Sequence, residues 1–106
     1  MANRLRGESE ITLGGVTYRL RPTFAAIMEI EDRLGGVVPL AVRAARGEFG
    51  LKDLTVIVWA TLNAVEGQKL ELAAVGDFIL ERGIAETTPI VRDVLTQVLG
   101  GSDDGG

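Results

Sequence analysis

At 106 residues, 46% apolar and 25% charged, with a formal net charge of −4, the chain has the size and apolar content of one compact domain, for which a radius of gyration of roughly 13 Å is expected. It contains no Cys and no His, and its only serines, Ser9 and Ser102, lie near the two ends. Disulfides, thiolate or Ser–His nucleophiles and the usual zinc sites are thereby excluded, and a non-enzymatic protein with no cofactor and no metal is expected. The acidic balance, without a basic stripe interleaved with aromatics, argues against nucleic acid as a partner. No run approaches the roughly 20 apolar residues that cross a bilayer, and the start MANRLRGESE lacks the apolar segment of a signal peptide, so a soluble, cytoplasmic protein is expected.

In chain order, Glu8 to Leu13 and Val16 to Arg21 flank Gly14-Gly15, a pair that tolerates the positive φ values of a two-residue hairpin turn. Val16, Tyr18 and Leu20 alternate with Thr17, Arg19 and Arg21, the pattern of a strand with one face on a core shared with Ile11 and Leu13. Pro22 ends the ladder because it has no N–H to give. Thr23 suits the N-cap of a first helix with Phe24, Ile27, Met28 and Leu34 on its apolar stripe and Gly35 just past its end. Glu29, Glu31 and Asp32 read as a solvated face, since at about 100° per residue positions 29 and 31 point apart and cannot share a site.

A second helix of two to three turns is expected over Val38 to Arg46, carrying Leu40, Val42 and Ala44. The third, Leu51 to Val65, is apolar almost all round, as in a helix enclosed by neighbours; the β-branched run Thr55 to Val58 would also suit a strand, but the length favours helix. Trp59 is read as core, the other reading being an anchor at an interface. Glu71 to Arg82 forms a fourth helix with Leu72, Val75, Phe78 and Ile79 on one side. Thr88 as N-cap and Pro89 at the first helical position open a fifth that runs to Gly100. The fold class expected is α+β, an N-terminal β-hairpin packed on a mainly helical body of about five helices, with residues 1–99 as one domain and 100–106 as a flexible acidic tail.

Residues 1–21 carry four Arg (Arg4, Arg6, Arg19, Arg21) against Glu8 and Glu10, while residues 22–106 carry seven basic and thirteen acidic side chains. The hairpin is thus the basic end of an acidic body. Tyr18, Arg19 and Arg21 become candidate contacts for an acidic partner, the other reading of the two arginines being simply a solvated strand face. Ile90 and Val94 are candidates too, because both sides of the last helix are apolar and one side left uncovered would offer a groove or a self-association surface.

The segment LRPTFAAIMEIEDRLGG, preceded by MANRLRGE and a Gly-Gly turn and followed by LAVRAARGEFGLKDLTVIVWATL and VGDFILERGI, resembles the gene transfer agent family of small proteins encoded among phage-type tail genes. The resemblance covers most of residues 1–99. It implies a tail assembly chaperone that binds the tape-measure protein and helps tube subunits polymerise around it, or else a minor tail-tube component kept in the particle. Homo-oligomerisation is left open. Members of that family often have a capping Ser or Thr where this chain has Lys52, which leaves the start of the third helix less defined.

Overall fold

The computed structural model describes residues 9–100. They form a hairpin of β1 (Ser9–Leu13) and β2 (Val16–Leu20) followed by helices α1 (Phe24–Leu34), α2 (Val37–Ala45), α3 (Leu51–Asn63), α4 (Leu72–Arg82) and α5 (Ile84–Gly100). The α+β class is as expected, with a radius of gyration of 12.5 Å. Arg4, Arg6, Glu8 and the tail after Gly100 lie outside the described residues.

Both Gly14 and Gly15 have positive φ, at 58° and 82°, which closes the two-residue turn and pairs Leu13 with Val16 and Ile11 with Tyr18. Ile11, Leu13 and Leu20 are fully buried. Val16, expected on the same core, is instead 51% exposed, and Tyr18 is only half-buried. The reason is that α4 and α5 lie against β1, so the tip of β2 extends past their cover. An Arg82 guanidinium N–H donates to the Thr12 carbonyl at 3.2 Å, and the Ser9 hydroxyl donates to Asp93 of α5 at 3.1 Å.

Thr23 caps α1 as expected, its hydroxyl accepting from the Ala26 N–H at 3.1 Å. The buried face of α1 is Ala26 and Ile30, with Ile27 and Leu34 packed at its margin. Phe24 and Met28, expected on that stripe, are 81% and 52% exposed. At about 100° per residue they stand roughly 120° and 160° round the helix from Ile30. The small Ala26 permits close approach to α3, and that contact sets which face turns inward. In α2, Leu40 and Ala44 are buried, while Val42, expected with them, faces outward with Val38.

Helix α3 is the centre of the molecule, packing on α1, α4, α5 and β2. Leu54, Ile57, Val58 and Leu62 are fully enclosed. Its start, Gly50, has no side chain to cap with, but the Asp53 carboxylate accepts the Gly50 N–H at 2.9 Å and two further bonds from the Arg43 guanidinium at 2.7 and 3.1 Å. This ties the end of α2 to the start of α3 in place of a Ser or Thr cap. Burial pushes the Asp53 carboxyl up, but the Arg43 and Gly50 hydrogen bonds outweigh it and hold the carboxyl below its ordinary 3.8. A carboxyl lowered in the folded state stabilises above its unfolded pKa and loses that contribution as pH falls through the folded value. Wild-type Tm is therefore expected to fall more steeply below pH 3.8 than that of Asp53→Asn; parallel melting curves through that range would contradict it.

Trp59 packs against the core as expected, at its margin and only partly enclosed. The Arg33 guanidinium lies 4.6 Å from the ring centroid, a geometry in which the ring's negative face attracts the cation. Trp59→Ala is accordingly expected to cost about 1.5–3 kcal/mol by urea denaturation, below the roughly 3–5 kcal/mol of a fully buried aromatic.

Helix α5 begins at Ile84, four residues before the expected cap at Thr88, and Pro89 lies inside it. Gly83, with φ of 110°, both terminates α4 through its N–H to Ile79 and opens α5 by accepting from the Thr87 N–H. Thr88 does not cap; its hydroxyl, like that of Thr87, donates back to a carbonyl four residues earlier. Thr88-Pro89 carries a helix-start signature, but Gly83 allows the chain to turn and resume helix at once.

Candidate interaction surface

The five residues singled out from sequence occupy different environments. Arg19 is exposed, while Arg21 is half-buried and its backbone N–H donates to the Thr61 carbonyl at 3.0 Å. Tyr18 and Ile90 are half-buried against the core. Val94 is 1% exposed and belongs to the core itself. Val91 and Leu95 are buried with it on the same face of α5, where the helix packs against α2, α3, α4 and β1. The surplus apolar face expected on this helix is thus covered, and a partner would have to open the core to reach Val94.

Each edge of the sheet is engaged at one residue. On β2 the Gln68 side chain accepts the Arg19 N–H at 2.8 Å and donates to the Arg19 carbonyl at 2.8 Å, as a neighbouring strand would. The same amide donates to the Leu62 carbonyl at 2.9 Å, and Asn63 exchanges two bonds with Leu70. The connection from α3 to α4 is thereby held against the hairpin. On β1 the Thr12 carbonyl is taken by Arg82.

Outward-facing apolar side chains are found instead at Phe24 and Met28 on α1, Val38 and Val42 on α2, and Leu80 on α4. Each of the first two pairs is spaced i, i+4, so it forms a short stripe on its helix. Two recesses accompany them. One, of about 350 Å³, lies between α1 and α3 and is lined by Trp59, Glu29 and several alanines. The other, of about 620 Å³, runs between α3 and α4 over Leu51, Val56, Leu72 and Gly76, with Arg33 and Lys52 at its rim. Sequence periodicity misses the second groove because its walls come from different helices.

Among the described residues no cluster of acidic side chains is arranged to hold a metal ion. No helix among them is long and apolar enough to cross a membrane.

The sequence pattern of the phage tail tube proteins described as GTA-gp10 matches residues 6–101. The chain belongs to this family. The resemblance read from LRPTFAAIMEIEDRLGG and the segments after it is therefore correct at family level, and it makes the chain a phage-type tail component of the gene transfer agent kind. No curated protein and no solved structure matches it. The family description is structural, in keeping with outward apolar stripes that suit contact with other tail subunits.

Proposed function

We propose that this GTA-gp10 family member is a non-enzymatic assembly protein that holds another tail subunit, the tape-measure protein by the resemblance, while the tail is built. The observation that carries this reading is that each edge of the hairpin is met by the rest of the chain, at Arg19 on one side and at the Thr12 carbonyl on the other. A tube wall continued by strand pairing needs free N–H and C=O groups along a sheet edge. Here the sheet has two strands, and Gln68 and Arg82 occupy its edges at Arg19 and Thr12. Apolar contact with other subunits then falls mainly to helices, through side chains such as Phe24 and Met28 that stay exposed in the folded chain, with Arg19 of the hairpin adding charge. Reversible cover of an aggregation-prone helical partner needs such apolar surface and charge complementarity, and no reacting group.

The second reading, a tail-tube component kept in the particle, is favoured by the family description itself. Co-expression of the chain with each tail gene product, followed by affinity capture, tests for a partner. Capture of the tape-measure protein in preference to the tube subunit is expected, and the reverse preference supports the tube component. Arg19 adds charge at the exposed hairpin, so Arg19→Glu is expected to weaken capture and reduce its salt dependence without unfolding the domain. Capture that is identical at every salt concentration would remove the hairpin from the contact.

A further inference from the structure

The groove between α3 and α4 has an electrostatic character opposite to that of the chain. The protein carries 15 acidic and 11 basic side chains, yet the charged residues lining this groove are Arg33 and Lys52, and none is a carboxylate. Arg33 is paired with Glu29 at 2.9 Å, which leaves Lys52 as the less compensated cation. The first turn of α4 borders the groove. Its N-cap residue Glu71 makes no side-chain capping bond, so the N–H groups of the first turn, at Leu72 and Ala73, are left without a side-chain cap beside the groove. The walls are otherwise apolar, from Leu51, Val56 and Leu72. Thr55 in the groove wall is 8% exposed, and its hydroxyl, beside Gly76 of α4, has no hydrogen-bond partner.

We propose that this groove seats an amphipathic helix of a partner tail subunit, with apolar side chains against Leu51, Val56 and Leu72 and carboxylates toward Lys52 and Arg33. The inference rests on the assembly role above and specifies the chemistry of the segment that is held. A groove of about 620 Å³ matches the size of sites that bury a ligand, roughly 300–1,000 Å³, and takes the few anchors that a helix presents at i, i+3, i+4 and i+7. Gly76 lines the groove beside Thr55, which a Cβ at this position would meet at 3.5 Å, an ordinary contact.

The test uses the full chain and two synthetic peptides, both with leucine at i, i+3, i+4 and i+7, one flanked by glutamates and the other by lysines. The acidic peptide is expected to shift the backbone amide resonances of Thr55, Val56, Ala73 and Gly76, and the basic peptide to leave them in place. The variant Lys52→Glu/Ala73→Glu is expected to bind the acidic peptide at least tenfold more weakly. Both replaced positions are exposed and lie in first helical turns, where an acid favours the helix, so loss of binding would not reflect loss of fold. Equal response to both peptides, shifts confined to another face, or no response overturns the proposal. Shifts at the same amides when the chain alone is concentrated also overturn it, by making a second copy the occupant. If the wild type captures a tail subunit and the double variant captures it equally well, the groove is wrong and the assembly role stands. Where the wild type captures none, the assembly role fails and the peptide titration still decides the groove.

Discussion

Ile57→Ala is expected to lower the stability of the folded chain by about 2–5 kcal/mol, the range for emptying a well-packed aliphatic site. Ile57 is fully buried near the middle of α3, the helix against which α1, α4, α5 and β2 all pack. With neighbours on every side held by other elements, the site has little room to collapse around the missing atoms, so both the transfer and the cavity contributions apply. For a domain of this length each kcal/mol corresponds to about 4–8 °C in Tm, and the total is a large part of the roughly 5–15 kcal/mol that holds such a domain folded. Ile57→Val should cost only about 0.5–1.5 kcal/mol. Urea denaturation of the two variants measures both values. A loss under about 1 kcal/mol for the alanine variant would mean that α3 is not the centre of the core.

Gly14→Ala is expected to destabilise by about 2–5 kcal/mol, for two separable reasons. The residue has φ of 58°, a region that a side chain occupies at a cost of about 1–2 kcal/mol. A Cβ at this position would also stand 2.5 Å from Cε1 of Phe78 on α4, so the ring or the hairpin must move, at about 1–3 kcal/mol for an overpacked contact. Gly15 provides the control, since its φ is 82° but nothing lies within 4 Å of its Cβ position. Gly15→Ala should show the backbone cost alone. A double-mutant cycle of Gly14→Ala with Phe78→Ala isolates the contact: with the ring removed, the alanine should cost about as much as it does at position 15. Equal costs at 14 and 15 with Phe78 present would show that α4 does not press on the turn.

Where one local signal determines an element, the sequence was sufficient. Gly14-Gly15 between two alternating runs gave the hairpin, Thr23 after Pro22 gave the cap of α1, and the apolar run from Leu51 gave a helix enclosed by others. Errors arose where tertiary packing chose between local options. On α1 the large apolar side chains Phe24 and Met28 outweighed Ala26 in the periodicity, although a small residue is what allows two helices to approach closely. At Thr88-Pro89 a good start signature lay within a helix that Gly83 had already opened. Val94 was legible as apolar but not as covered, because what covers α5 comes from other elements, α2, α3, α4 and β1. The Arg43–Asp53 pair and the groove with Lys52 at its rim bring together residues from separate elements. No spacing within one element encodes such a juxtaposition. The identity of the family was legible because it rests on the order of segments along the chain, which the matched residues 6–101 share.

Quantitative mass spectrometry of purified tail particles, set against the lysate in which they assembled, tests the central claim most directly. An assembly protein is present in the lysate with the unassembled tail subunits and missing from the finished particle. The chain found in purified particles at a fixed ratio to the tube subunit would contradict the assembly role and make it a retained tail component.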